Sequence, residues 1–260
     1  MTKVQWAERL KKWRQENIEH YAQTILSDPA KVTLYSTVPL PGVELIMGDR
    51  RQGKTALAHE IANQVNKRKG YPAVIHIPHI PEKLQKELQK MLPKWMKIVR
   101  TRAEWPKDSV VIYDEAAQSA HARRTQSGDA VELDDLIGIS GQRNQTILFI
   151  SHHSRKLDVN IITEVNRIIW KKPTYAHQLF ERDEVSDFTM RAYQFFDTMR
   201  GKKTWTDTTL LRAKKLSLVL DLDTFSMKQC TNGLPAWWND DLSRLFRNMQ
   251  RTARGTLFQG

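Results

Sequence analysis

The sequence is poor in cysteine, in long apolar runs and in acidic charge. Its single cysteine, Cys230, excludes an internal disulfide and a cysteine-built metal site, which fits a reducing, cytoplasmic setting. No run of about 18 apolar residues is present, so no membrane-spanning helix is expected, and attachment to a membrane would have to come from a partner protein. The first residues, MTKVQWAERLKKWRQ, lack the apolar core of a signal peptide. Internal repeats and low-complexity tracts are absent as well. Against 41 Lys+Arg stand only 29 Asp+Glu, a net charge of +12. That balance points to a polyanionic partner, nucleic acid first, with an anionic membrane surface or a merely basic soluble protein as alternatives.

What the chain does carry is organised around Val43–Ala58, VELIMGDRRQGKTALA. An apolar run is followed by Gly48, Asp49, Arg50, Arg51, Gln52, Gly53, Lys54 and Thr55, and then by helix-forming residues. Strand, loop and helix in that order are the context of a P-loop. Backbone N–H groups at the helix N-terminus cradle a triphosphate, and the glycines permit close approach and unusual backbone angles. Lys54 is expected to reach the β- and γ-phosphates, and the Thr55 hydroxyl to ligate Mg²⁺.

A second apolar stretch, Ser109–Tyr113, ends in Asp114 and Glu115, the Walker B arrangement. Asp114 would hold Mg²⁺ through its water shell, and Glu115 would act as general base on the attacking water. A general base favours an ATPase over a passive nucleotide switch. In a third stretch, the strand Thr146–Ile150 delivers Ser151, His152 and His153 to the sheet edge shared by the P-loop and Asp114. Ser151 or His152 is placed to sense the γ-phosphate. Arg143, just before that strand, is read as an arginine finger toward a neighbouring subunit's nucleotide, against a salt bridge or a DNA-phosphate contact. Adjacent strand residues point to opposite faces, so His152 and His153 are not expected to share a metal.

The remaining chain reads as follows. Residues 3–26 have the spacing of an amphipathic helix, and a boundary is expected near residue 40. Helices are predicted over Lys54–Lys69, Glu82–Met91, Val131–Ile139, Asp158–Glu164 and Asp187–Met199. Strands are predicted at Ala73–Ile77, Ile98–Val99, Asn166–Trp170 and Leu216–Leu222. His121–Asp129 and 200–215 read as loops, Tyr175–Arg182 as a hairpin partner, and Arg251–Gly260 as a frayed end. Trp237 and Trp238 are read as packing the tail onto the core, with base stacking the alternative. Strands alternating with helices predict an α/β fold, a mostly parallel RecA-like sheet flanked by helices. The expected layout is an N-terminal helical extension (1–40), an ATPase core (41–200) and a small C-terminal extension (201–260).

The motifs GDRRQGKT (48–55), VVIYDEA (110–116) and GQRNQTILFISHHSRKLD (141–158) resemble the FtsK/HerA branch of the P-loop NTPases, over roughly residues 43–172. That branch includes viral genome-packaging ATPases and the zonula occludens toxin-like ATPases of phages. Its members commonly place an arginine ahead of the fourth core strand, matched by Arg143, and a polar residue, often Gln, at its end, where this chain has Ser151 or His152. The resemblance implies a hexameric ring with ATP and Mg²⁺ between subunits and double-stranded DNA in the channel. It also implies a motor in the host cytoplasm or associated with a virion, docked on a capsid or membrane protein. The alternatives are an ATP-dependent DNA-binding switch without translocation, and a P-loop kinase with His121–Arg124 as its lid.

Overall fold

The computed structural model describes residues 28–78, 80–114, 138–157, 162, 164–179, 181–200 and 205–246, together with Glu8, Lys12 and Gln15. The expected N-terminal helix over 3–26, the loop 121–129, the helices 131–139 and 158–164 and the tail 251–260 lie wholly or mostly outside those residues, as does Glu115.

In chain order the elements are β1 (Ala30–Thr33), β2 (Gly42–Met47), α1 (Lys54–Lys69), β3 (Ala73–His76), α2 (Glu82–Met91), β4 (Met96–Val99), β5 (Ser109–Asp114) and β6 (Gln145–Ile150). There follow β7 (Arg167–Trp170), α3 (Tyr175–Leu179), α4 (Asp183–Asp197), α5 (Asp207–Lys214), β8 (Leu216–Asp221) and β9 (Ser226–Thr231). Among the described residues the strands are mostly parallel and alternate with helices, the α/β class expected from the alternation of apolar runs and helical segments.

The chain forms two compact units, the first from Met1–Pro39, Glu44–Lys54 and Ser151–Asn232, the second from Leu40–Val43, Thr55–Ile150 and Gly233–Gly260. In the first, the strand order is β1-β9-β8-β7-β2. Here β2 and β7 run parallel with Met47 level with Trp170, and β7, β8 and β9 are antiparallel neighbours. In the second, the order is β6-β5-β3-β4, all parallel, with Asp114 level with Ile150.

Burial explains the sequence pattern. Every residue of β5 and β6 is buried, as strands covered on both faces require, and such strands read as continuous apolar runs. Helix α1 buries Ala56, Leu57, Ala58, Ile61, Ala62 and Val65. It stops at Gly70, whose φ of 72° suits a left-handed helix end. Removing the Leu57 side chain would cost about 2–5 kcal/mol.

Three expectations need correction. Tyr175–Arg182 is no hairpin partner. After Pro173, Thr174 Oγ1 lies 2.7 Å from His177 Nδ1 and the chain turns into α3, while the antiparallel neighbour of β7 is β8. Residues 207–214 are helical, started by a capping box in which Thr206 Oγ1 accepts from Thr209 N at 3.2 Å. Asp187–Met199 is a helix, but it begins at Asp183. Strands β1 and β9 were not foreseen and pair in parallel with each other. Segments read as extensions thus supply β1, β8 and β9 to the sheet.

Candidate nucleotide site

The buried strand β2 ends at Met47, and the chain leaves it through Gly48 with φ 136°. A Cβ at Gly48 would lie 2.4 Å from the Lys171 carbonyl oxygen, so only glycine fits. That closeness comes from β7. Lys171 N donates to Met47 O at 2.8 Å, and Asp49 N donates to Lys172 O at 3.1 Å. Positive φ at Gly48, Arg51 and Gly53 (136°, 61° and 86°) turns the loop tightly, the kind of backbone in which successive N–H groups converge on an anion. Arg51 in that region costs about 1–3 kcal/mol, strain of a kind that clusters at ligand clamps.

Lys54, the first residue of α1, is buried and folded back on the loop. Its Nζ donates to Gly48 O at 2.8 Å and Asp49 O at 2.9 Å, and lies 3.1 Å from His152 Nδ1. A bound phosphate would compete with the two carbonyls for the ammonium protons. The next residue, Thr55, directs its hydroxyl at the carboxylate that ends β5, with Thr55 Oγ1 to Asp114 Oδ2 at 3.3 Å. A hydroxyl and a carboxylate this close are hard oxygen donors of the kind that would suit Mg²⁺. Asp114 is buried, at 5% exposure.

Of the two sensor candidates, His152 is the one in contact with Lys54. Ser151 donates its hydroxyl to His153 O at 2.8 Å and its N–H to Ile46 O at 3.0 Å. The His153 ring stacks on that of His177, with centroids 4.4 Å apart. Burial, helped by the nearby His153, brings the His177 pKa down to about 4.

The structure does not bring Arg143 to this group. It precedes β6 at the end of the strand pair where Ser109 is level with Gln145, whereas Asp114 closes the opposite end. Six strand residues separate the two ends, about 20 Å. The Arg143 guanidinium donates through Nη2 to the Trp105 carbonyl, a contact the sequence did not announce.

The sequence also missed Lys171, which is fully buried behind Gly48. Its Nζ donates to Lys214 O, Leu216 O and Asn232 Oδ1 at 2.7, 2.6 and 2.9 Å, and burial pushes its pKa down to about 7. The adjacent KKP reads in sequence only as a strand end. Trp237 and Trp238 pack as expected, their rings 5.3 and 5.0 Å from that of His59 on α1.

A parallel strand, a glycine-bearing loop, a helix that opens with Lys54-Thr55 and an aspartate bonded to that threonine together define a P-loop NTPase fold. No protein-family model matches the sequence, and no curated protein does. Among solved structures, the chain is similar to the DNA-packaging ATPase B204 from Sulfolobus turreted icosahedral virus, at 14% identity over 75% of this chain and 100% of that one, TM-score 0.47. It is similar to the genome packaging NTPase B204 from Sulfolobus turreted icosahedral virus 2 in complex with AMPPCP, at 13% identity over 76% and 100%, TM-score 0.49. A third similarity is to the N-terminal domain of zonular occludens toxin from Neisseria meningitidis, at 18% identity over 51% and 77%, TM-score 0.32.

Proposed function

We propose that this chain is an ATP-hydrolysing nucleic-acid motor of the FtsK/HerA type, moving or packaging the double-stranded DNA of a virus or mobile element. The observation that carries the nucleotide reading is the 3.3 Å approach of the Thr55 hydroxyl to the Asp114 carboxylate, next in sequence to the P-loop lysine. The loop N–H groups and Lys54 hold the β- and γ-phosphates, and Thr55 and Asp114 hold Mg²⁺. The metal would neutralise charge on the phosphate oxygens. His152, already beside the Lys54 ammonium, is the residue that would register the γ-phosphate. Glu115, next in sequence to Asp114, takes the proton of the attacking water.

The net charge of +12 supports a DNA partner. The resemblance of the 141–158 motif supports a hexameric ring in which Arg143 serves a neighbour's nucleotide. On this reading residues 41–200 carry the chemistry, with 1–40 and 201–260 flanking them. Among the described residues no helix is long and apolar enough to cross a membrane. On this reading a capsid or membrane protein docks the motor, in the host cytoplasm or on the virion.

The test is ATP hydrolysis with and without duplex DNA, alongside particle images in the presence of an ATP analogue. Hydrolysis that rises with DNA and rings that enclose it are the expected results. A protein that stays monomeric with ATP and ignores DNA would overturn the motor.

A further inference from the structure

The first unit holds a cavity of about 160 Å³ lined by Lys172, Tyr175, Tyr193, Phe196, Asp197 and Trp205, with neighbours. Its position is fixed by the P-loop itself, since the carbonyl of Lys172 accepts the N–H of Asp49 at 3.1 Å. One wall of the cavity is thus hydrogen-bonded to the second residue of the phosphate loop.

The lining is aromatic and flat-faced. Tyr175 is 54% exposed although it leans edge-on against Tyr193, with centroids 5.7 Å apart. Lys172 Nζ sits 4.7 Å from the Trp205 ring centroid. The lining also holds the Asp197 carboxylate, an acceptor bonded by Arg200 Nε at 3.1 Å and still 30% exposed. The Lys172 ammonium lies in the field of both Asp49 and Asp197, which offset part of the lowering that burial imposes on its pKa. One cation therefore links the phosphate loop to the cavity.

We propose that this cavity is the base subsite of the nucleotide: a purine ring stacks on Tyr175 and Trp205, and Asp197 accepts a hydrogen bond from a ring or exocyclic N–H. The proposal rests on the nucleotide reading above and deepens it. The Asp197 carboxylate suits an amino group of a base as hydrogen-bond acceptor, and the triphosphate belongs at the loop, at the N-terminus of α1.

The experiment compares, on the full chain with Mg²⁺, calorimetric binding of ATP and of tripolyphosphate, which has no base. Stacking on an aromatic face is strong enough that Tyr175→Ala and Trp205→Ala should each weaken ATP about tenfold. Tripolyphosphate binding should stay at the parental level and thereby report an intact fold, and Trp205→Phe should restore most of the ATP affinity. Lys54→Ala should lose both ligands. If the parent binds both ligands and the aromatic variants bind ATP as the parent does, the base subsite falls and the phosphate site stands. If the parent binds neither, both fall. Should Trp205→Ala lose both ligands through misfolding, the exposed Tyr175 decides: unchanged ATP binding in Tyr175→Ala refutes the proposal.

Discussion

The α-carbon of Gly48 faces the carbonyl of Lys171 so closely that a methyl group there would sit 2.4 Å from the oxygen and 2.9 Å from the carbon. Both atoms are backbone, and Lys171 is tied to Met47 by its own N–H at 2.8 Å, so neither can swing aside. Gly48→Ala should therefore destabilise the protein by about 1–3 kcal/mol or more from strain at φ 136° and the clash together. It should also distort the phosphate loop. Urea unfolding checks the first effect and nucleotide binding the second. A variant with parental stability would show that β7 does not brace the loop.

The contact between Thr55 and Asp114 makes a separate prediction about metal. Asp114→Asn keeps the shape and the acceptor but removes the charge that draws a divalent cation. ATP binding by the parent should strengthen with Mg²⁺ and weaken with a chelator, whereas the variant should lose about 10–100-fold in apparent metal affinity. A titration of Mg²⁺ at fixed ATP measures it. Equal Mg²⁺ dependence in the two proteins would remove Asp114 from the metal's surroundings.

Arg143 has a role inside its own chain. Its guanidinium donates to the Trp105 carbonyl, and its backbone joins the same corner through Asp108 N to Arg143 O at 3.0 Å. Arg143→Ala leaves the Trp105 carbonyl without that donor and should lower stability by about 1–3 kcal/mol. ATP affinity of isolated subunits should not change, because Asp114 lies at the far end of the strand pair. Unfolding curves and binding isotherms on one preparation separate the two effects. A stable variant with weakened ATP binding would contradict the placement.

How much was legible depended on whether a feature was local in sequence. The strands Ser109–Asp114 and Gln145–Ile150 announced themselves because both faces are buried, and the P-loop because its glycines and Lys54-Thr55 are contiguous. Strand β9, SMKQCT, is only partly buried, with exposed or half-exposed residues among its apolar ones, so it carries no apolar run to read. Which of Ser151 and His152 meets the Lys54 ammonium depends on how each side chain turns after Ile150, a tertiary fact. The intrachain partner of Arg143 was hidden for a related reason. Its place beside the strand is visible in sequence, but its attachment to Trp105, 38 residues earlier, is not. Lys171 and the aromatic cavity beyond it depend on the fold of 167–205 against the loop, which no local pattern encodes.

Glu44 offers a test by pH. Both its carboxylate oxygens are buried without a hydrogen-bond partner. Arg167, level with it on β7, is engaged by Asp221 at 3.2 Å and by the Thr37 carbonyl. Burial raises the Glu44 pKa from 4.5 to about 8, an effect only partly countered by the Arg167 charge. Between those values the folded chain holds a proton that the unfolded chain has released. The stability from this group is thus fully present below pH 4.5 and is lost as pH rises toward 8, at up to about 1.4 kcal/mol per pH unit. His177 works in the opposite sense. Its folded pKa is depressed from 6.5 to about 4, so its contribution grows with pH in that interval and is constant above it. The difference between Glu44→Gln and parent isolates the glutamate: a buried amide adds a constant offset but no proton linkage. Urea unfolding at a series of pH values should show the variant gaining on the parent steadily from pH 6.5 to 8. Curves that stay parallel across that interval would mean that Glu44 is already ionised in the fold.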